Sequence, residues 1–247
     1  MKDNELKARQ ALAAAYRLAD RFGFSEGIDN HLTLALPEEN DKYLLIPYGM
    51  HWSEVTASSL LIVDGDGNKI SGDGYAEPTA FLIHGAVHKA SKKNKCVMHT
   101  HMESALAITM QNKGRLLMAD QNACRFYNNI NYLDEYEGLV LDKHTASPIG
   151  NAMIEVDILF LANHGIIVTG NNIYDAWESL YYLERACRAQ IVSMSMGNNL
   201  KIINSQIAKK VSDQIREEAK TESANSYRHF EALKRVLINN GGEKYLE

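Results

Sequence analysis

Residues 96–101 read Cys-Val-Met-His-Thr-His, a short apolar run that ends in two histidines separated by one residue. The run predicts a β-strand, and on a strand the side chains of His99 and His101 point to the same face. Two neutral imidazoles on one face, completed by a third ligand, suit a divalent transition metal, and a catalytic site of this kind leaves one coordination position open. The stretch therefore predicts the centre of a metal site at the end of a strand.

The expected third ligand is His164, which stands in an Asn-His-Gly turn between two apolar runs. These runs predict two strands joined by a tight turn, and the glycine allows close approach of another backbone segment. A different interpretation keeps all three histidines as structural side chains at strand ends, with their hydrogen bonds satisfied. That interpretation would be preferred for one histidine, but the pair together with a His-Gly turn favours metal binding.

Hydrophobic periodicity around this stretch predicts an alternation of helices and short strands. An Asp-Gly-Asp-Gly turn at residues 64–67 is expected to join two antiparallel strands, and Pro78 suits the first turn of a helix. Residues 119–150 have weak periodicity and allow no assignment. These patterns predict one α/β domain over residues 1–247, with helices covering a largely antiparallel sheet and a polar helix at the C-terminal end. The predicted helices span residues 5–22, 79–90, 104–110, 173–192 and about 205–237, and the predicted strands span residues 31–36, 43–46, 60–63, 96–101, 158–162 and 166–168.

Composition limits the kind of protein. The chain has 247 residues, of which 45% are hydrophobic and 23% charged, and this globular balance excludes a disordered or collagen-like chain. A formal net charge of −5 is unlike that of a general nucleic-acid binder or of a protein that binds anionic membranes. Three widely separated cysteines without a CxxC pair predict reduced thiols and a cytoplasmic location. No stretch approaches the ~20 apolar residues of a membrane span.

Further candidate site residues lie in loops and at a helix start. Glu77 immediately precedes Pro78, where a carboxylate is either a helix-capping acid or a general base near the metal. Glycine-containing loops at residues 27–30 and 47–49 could bind an anionic substrate through backbone N–H groups, although short glycine loops are usually only turns. His84 and His88 lie four residues apart on a predicted helix without the glutamate of an HExxH motif, and we interpret them as helix-face residues, with His84 facing inward.

Taken in chain order, these features resemble the class II aldolase/adducin family. The shared features are Gly-x-x-Asn before a strand, Pro-Tyr-Gly, a glutamate at a helix start, His-Thr-His and Asn-His-Gly, and the resemblance covers roughly residues 11–189. The run from Pro47 to Leu60 resembles the adducin-like branch. The resemblance implies a three-layer α/β/α fold and, commonly, a homotetramer with active sites at the subunit interfaces.

The resemblance also implies a divalent metal on His99, His101 and His164, with Glu77 as the acid/base and sometimes a resting-state ligand. Zinc is the expected metal, and manganese and iron are the alternatives. Asn30 matches a position that contacts substrate in sugar-phosphate aldolases. Two further residues that we expect to contact substrate are Gly49 and Tyr75.

Two departures from the family pattern affect the expected substrate. Sugar-phosphate aldolases have a pair of serines directly before the glutamate, and this chain has Tyr75 and Ala76 there. The sequence around Asn30 also lacks the usual Gly-Asn-Xaa-Ser run. Because a phenol narrows an anion pocket and removes a donor, the sequence does not predict a phosphorylated sugar as substrate.

The expected function is a divalent-metal-dependent lyase that cleaves a C–C bond in a small oxygenated carbonyl or carboxylate compound through a metal-stabilised enediolate. Aldol cleavage and decarboxylation share this electronic demand. One alternative is an iron-dependent oxygenase on the same fold, and another is a non-catalytic interaction domain like the adducin head. Retention of the three histidines and of Glu77 favours an enzyme. The expected partners are a small-molecule substrate and further copies of the chain, without nucleic acid or membrane.

Overall fold

The computed structural model describes residues 3–39, 41–197, 199–221 and 224–247. Within these residues, one sheet of eight strands has the order β4-β3-β2-β1-β5-β8-β7-β6. Only the edge strand β6 runs parallel to its neighbour β7; the other pairs are antiparallel. The strands are β1 (His31–Ala35), β2 (Lys42–Leu45), β3 (Leu61–Asp64), β4 (Lys69–Ser71), β5 (Cys96–Thr100), β6 (Ile130–Leu133), β7 (Ile158–Leu161) and β8 (Gly165–Gly170).

Helices cover both faces of this sheet, which gives the α/β/α layering that the family resemblance implied. The helices are α1 (Asp3–Arg21), α2 (Pro78–Ala90), α3 (Glu103–Thr109), α4 (Gln121–Cys124), α5 (Lys143–Ala152), α6 (Ile173–Ser195), α7 (Ser205–Glu218) and α8 (Asn225–Asn239). Two short 3-10 turns cover Trp52–Glu54 and Glu243–Leu246. No helix in the described part of the chain is long and apolar enough to cross a lipid bilayer.

Two separate apolar clusters hold the layers together. The larger one joins α1, α6 and α8 to the sheet face that carries Leu32 and Met98. The smaller one joins α2 and α5 to the opposite face, which carries Val97 and Ile167. The helices α2 and α5 approach closely at Gly150, where a Cβ atom would lie 2.8 Å from the Ala86 carbonyl oxygen.

Strand register brings the ends of several strands to one edge of the molecule. His31 at the start of β1 pairs with His99 near the end of β5, and Thr100 pairs with Ile166 near the start of β8. β2 runs antiparallel to β1, so its C-terminal end lies at the same edge. β4 also ends at this edge, because Ser71 pairs with Ile62 near the start of β3. The loops that follow or precede these strands therefore meet at one end of the sheet.

The sequence prediction is wrong in three places. The alternation in residues 31–36 predicts a half-buried strand, but Thr33 is fully buried as well, because α2 covers the second face. The predicted single helix over about 205–237 is two helices, α7, which ends at Glu218, and α8, which begins at Asn225. Residues 119–150, left unassigned, contain α4, β6 and most of α5.

Candidate metal centre

The three predicted metal ligands come together at this end of the sheet. His99 lies in β5, His101 follows directly after that strand, and His164 occupies the turn between β7 and β8. Gly165 has a φ of 156°, and a Cβ atom there would lie 2.6 Å from the His101 ring and 2.7 Å from the Thr100 carbonyl oxygen. A glycine is therefore required for the turn to place His164 against the other two histidines.

The imidazole rings form a nearly equilateral group. Ring centroids are 5.1 Å apart for His99 and His101, 4.9 Å for His99 and His164, and 5.0 Å for His101 and His164. One nitrogen of each ring lies within 4.8 Å of a nitrogen of each of the others. Nitrogens grouped this closely can hold one cation once the rings close in to about 2.0–2.1 Å from it.

Hydrogen bonds determine which nitrogen each ring offers. The Nδ1–H of His99 donates to the Ile166 carbonyl oxygen at 2.9 Å, so in the neutral ring Nε2 carries the lone pair. The Nδ1–H of His101 donates to Glu26 Oε2, and its Nε2 is buried without a hydrogen-bond partner. A buried, unpartnered lone pair is unfavourable unless something occupies it, and the set of neutral imidazole donors fits a divalent transition metal.

Burial keeps His99 and His164 neutral. It is the main reason why the pKa of His99 lies well below its usual range, and the neighbouring His164 and His101 lower that pKa further. Burial, followed by His101, lowers the pKa of His164 to about 4, although Glu26 acts in the opposite direction. A neutral imidazole is the form that binds a metal, so no proton has to leave these two rings near neutral pH.

Glu26 is a site residue that the sequence analysis missed. It lies in the loop before β1 and accepts the hydrogen bond from His101 across 75 positions of sequence. A carboxylate that accepts the second N–H of a metal-binding histidine fixes the ring orientation and raises the basicity of the ligand. No local motif marks Glu26, because its role depends on the pairing of β1 with β5.

Asn30, for which a substrate contact stays a prediction, lies beside Glu26. Its backbone has a φ of 68°, and its side chain is 5% exposed. The Asn30 Nδ2 donates to Glu26 Oε2 at 3.4 Å, whereas its Oδ1 is buried and accepts no hydrogen bond. The Oδ1 atom is therefore an available acceptor next to the three histidines.

Glu77 is brought to the same end of the sheet, next to His31. Burial lowers the pKa of His31 to about 4, and the negative charge of Glu77 is the larger of the two influences that oppose this shift. His31 in turn stands opposite His99 in the pairing of β1 with β5. The carboxylate of Glu77 therefore acts on His31, the strand neighbour of the metal-ligand candidate His99.

Gly49 and Tyr75 lie in two loops that are joined to each other. The Tyr48 N–H donates to the Tyr75 carbonyl oxygen at 2.8 Å, and the two tyrosine rings meet edge to face with centroids 6.3 Å apart. Gly49 has a φ of 86°, a conformation that favours glycine, in the turn that follows β2. Tyr75 is 59% exposed. Their roles as substrate contacts stay predictions.

A second group of histidines lies on the α2 side of the sheet. His84 Nδ1 and His88 Nε2 each lie 2.8 Å from Thr33 Oγ1, and His88 Nδ1 lies 2.6 Å from the Asn94 carbonyl oxygen. All three side chains are buried, which includes the inward position predicted for His84. Burial, above all other influences, holds the pKa of His84 well below its usual range and lowers that of His88 to about 4.

The proton positions in this second group follow from the Asn94 carbonyl oxygen, to which His88 Nδ1 is bonded. A carbonyl oxygen only accepts, so His88 carries its proton on Nδ1, and Thr33 donates its hydroxyl proton to His88 Nε2. Thr33 Oγ1 then accepts the Nδ1–H of His84, and this leaves a lone pair on the buried, unpartnered Nε2 of His84. These hydrogen bonds of the two histidines thus go to the Thr33 hydroxyl and to the Asn94 carbonyl oxygen.

Comparison with known proteins identifies the family of this chain. Residues 10–191 match the family model of the class II aldolase and adducin N-terminal domain. The chain belongs to this family. The match ends within α6, so the two C-terminal helices α7 and α8 lie beyond it.

Solved structures of family relatives share the fold. The crystal structure of an aldolase II superfamily protein from Pseudomonas syringae superposes with a TM-score of 0.92 at 30% identity, covering 100% of this chain and 98% of that one. An L-fuculose 1-phosphate aldolase from Glaciozyma antarctica has a TM-score of 0.84 at 24% identity, covering 98% and 92% of the two chains. At that identity the second likeness is one of fold alone.

The adducin side of the family is also represented. Alpha-adducin of Mus musculus is 32% identical over 191 residues, which cover 76% of this chain but 26% of adducin. This chain therefore corresponds to about a quarter of the length of that relative.

Proposed function

We propose that this protein is a divalent-metal-dependent lyase that cleaves a C–C bond in a small oxygenated carbonyl or carboxylate compound, by aldol cleavage or decarboxylation. The observation that carries the proposal is the group of three histidine rings with centroids within 5.1 Å of one another, two of which have Nδ1 hydrogen-bonded to the protein, while Nε2 of His101 is buried without a partner. A buried imidazole nitrogen without a partner is unfavourable unless something such as a cation occupies it.

In this proposal His99, His101 and His164 hold the metal, and Glu26 fixes the orientation of the His101 ring. When bound, the metal supplies Lewis acidity at a substrate oxygen, which stabilises the charge that develops when the C–C bond breaks. Three nitrogen ligands and an open position suit zinc, and manganese or iron are the alternatives.

The chain's own residues then have separate tasks. Glu77 takes a proton from the substrate or returns one to it, and its neighbour His31 stays neutral because it is buried. The free Oδ1 of Asn30 accepts a hydrogen bond from a substrate hydroxyl. The phosphate-binding serines are replaced by Tyr75 and Ala76, so we infer an unphosphorylated substrate.

The relatives support a lyase without specifying its substrate. The family includes aldolases, and one structure of the same fold is named an L-fuculose 1-phosphate aldolase. Because that neighbour is 24% identical to this chain, its substrate is only a guide to the class of reaction.

The decisive experiment is metal analysis of protein purified without a chelator, combined with a His99→Ala variant. We expect about one divalent ion per chain in the wild type, and neither bound metal nor lyase turnover in His99→Ala. His144→Ala is the matched control, because His144 is an exposed histidine on α5. Full metal occupancy in His99→Ala would refute the assignment.

A non-catalytic interaction domain is the second candidate, and the similarity to alpha-adducin favours it. On this alternative, the wild-type protein would hold less than one metal ion per chain under every loading condition. Metal-loaded protein would also fail to cleave or decarboxylate any member of a panel of hydroxyaldehydes and carboxylates. Stoichiometric metal together with turnover would exclude it.

A further inference from the structure

A small cavity adjoins the three histidines on the side of His164. It lies between α5 and the segment 133–140 that follows β6, and its volume is about 190 Å³. His164 is part of its wall, and the Tyr136 ring at its mouth lies 6.4 Å, between centroids, from the His164 ring. A molecule bound at the histidines could therefore extend directly into this cavity.

Most of the cavity wall is apolar. Ile149 and Leu161 are 5% exposed and belong to the apolar cluster under α2 and α5, and Leu133 and Val140 pack against that cluster. This part of the wall is built from the core, so it has a defined shape. An apolar wall of this kind favours an apolar substituent, because the burial of its surface on binding is favourable.

The charges at the cavity are all of one sign. Glu135 and Glu137 line it, and Asp134 does so as well, although Asp134 is already paired with Arg115 through two hydrogen bonds of 2.8 and 2.9 Å. No lysine or arginine is among the described residues that line the cavity. An anionic substituent would thus meet two carboxylates without a compensating cation, and like charges in a partly enclosed site repel.

The volume limits the size of the substituent. An apolar cavity of about 150 Å³ is known to hold benzene, so 190 Å³ accommodates one six-membered ring or a branched alkyl group of similar size. It is below the roughly 300–1,000 Å³ of pockets that enclose drug-sized ligands.

We propose that the substrate carries, next to the oxygens that would reach the three histidines, one uncharged apolar substituent about the size of a benzene ring, which occupies the cavity between α5 and segment 133–140. Glu135 and Glu137 exclude substrates with an anionic group at this position. The inference rests on the proposed metal-dependent function, and it assigns the substrate class of that same site.

The test measures the binding of three hydroxyketones to zinc-loaded full-length protein. The probes are hydroxyacetone, which carries a methyl group, 2-hydroxyacetophenone (PhCOCH₂OH), which carries a phenyl ring, and dihydroxyacetone phosphate, which carries a phosphate. Isothermal titration calorimetry measures each Kd. We expect 2-hydroxyacetophenone to bind at least ~10-fold more tightly than hydroxyacetone, because its ring fills the cavity. Dihydroxyacetone phosphate is expected to bind more weakly than hydroxyacetone.

Two variants locate the effect. Val140→Phe fills the cavity and should remove the advantage of the phenyl probe while leaving hydroxyacetone binding unchanged. Val192→Phe, the same substitution at an exposed position of α6, is its control. The double variant Glu135→Gln and Glu137→Gln should strengthen binding of the phosphate probe, and Glu155→Gln, an exposed glutamate outside the cavity, should not.

The outcomes separate this inference from the proposed function. If the protein retains zinc and binds hydroxyacetone, but the phenyl probe binds no more tightly or Val140→Phe leaves its advantage intact, the substrate class is wrong and the metal site stands. If zinc is retained and no hydroxyketone binds, the substrate class is likewise wrong. If zinc itself is not retained, both proposals fail.

Discussion

The structure contains two groups of histidines that differ in how their nitrogens are used. In the first group, His99 and His101 spend Nδ1 on the protein and keep Nε2 bare, next to His164. In the second group, His84 and His88 are linked through one threonine hydroxyl and end on a backbone carbonyl. Three adjacent rings thus offer nitrogens to one ligand in the first group, whereas the second group leaves a single bare nitrogen, Nε2 of His84.

The difference shows that burial alone does not identify a ligand site. Burial lowers the pKa to about 4 for one histidine of each group, His164 in the first and His88 in the second. What separates them is the use of the nitrogens: the second group passes each N–H or O–H to a neighbouring acceptor and leaves one lone pair, whereas the first group brings nitrogens of three rings within 4.8 Å of one another. The arrangement of acceptors, rather than the lowered pKa, therefore indicates a cation site.

The largest expected effect comes from the carboxylate of Glu77, whose charge acts on His31. Glu77 acts on His31, which stands opposite His99 and meets the His84 ring edge to face with centroids 6.2 Å apart. If Glu77 moves the proton, Glu77→Gln should lower kcat by roughly 10²–10⁴-fold while the metal content stays near that of the wild type. Steady-state kinetics and metal analysis on the same preparation check this prediction.

A control distinguishes this role from a helix-capping role. Glu77→Asp keeps the charge at the start of α2 but shortens the side chain, so a capping acid would be retained while proton transfer would be impaired. Equal turnover in the wild type, Glu77→Asp and Glu77→Gln would leave Glu77 as a capping residue only.

The histidine triad was predictable from sequence because two local rules produce it. The period of a strand places His99 and His101 on one face, and the His-Gly turn places His164 at a strand end. The three-layer fold followed from the family resemblance, not from the strand pattern, which showed only one apolar face of β1. Thr33 on the other face is buried because its hydroxyl is bonded to two histidines of α2, and a hydrophobicity pattern cannot report such a satisfied polar group.

Glu26 and β6 were not predictable for a different reason. Glu26 reaches His101 only because the sheet pairs β1 with β5, and β6 owes its place to parallel pairing with β7. Both depend on contacts between distant parts of the chain, and neither has a local signature. The break between α7 and α8 is hard to predict because both helices are polar and amphipathic, so their hydrophobicity patterns look alike.

A smaller effect is expected at Glu26, which accepts the hydrogen bond from His101. Glu26→Gln keeps an acceptor for the His101 N–H but removes the charge, so the ring becomes a weaker ligand. The affinity for zinc should fall by about 10–100-fold, the usual consequence of losing an outer-shell partner. Competition with a chromophoric chelator measures the Kd. Glu103→Gln, an exposed acid two residues after His101, controls for the net charge, and an equal loss in both variants would contradict the specific role of Glu26.

The smallest expected effect concerns His88 and is a pH-dependent change in the free energy of unfolding. The pKa of His88 is about 4 in the folded protein and ordinarily about 6.5. Between these two pH values the imidazole is therefore protonated in the unfolded chain but neutral in the folded protein. Stability contributed by neutral His88 is thus complete above pH 6.5 and is lost as the pH falls from 6.5 towards 4. Between pH 7 and pH 5 this one residue should account for about 2 kcal/mol of the decrease in unfolding free energy.

His88→Gln isolates that contribution, because glutamine retains one donor for the Asn94 carbonyl and one acceptor for Thr33 but does not titrate. Urea unfolding of metal-free protein at pH 7 and pH 5 should show a decrease that is smaller in His88→Gln than in the wild type by about 2 kcal/mol. His144→Gln, at an exposed position, should behave like the wild type. Zinc affinity at pH 7 should be unchanged in His88→Gln, since both nitrogens of His88 are already hydrogen-bonded within the protein. A parallel loss of zinc binding would mean that the two groups are one coupled network, and it would remove the distinction on which the assignment of the metal site depends.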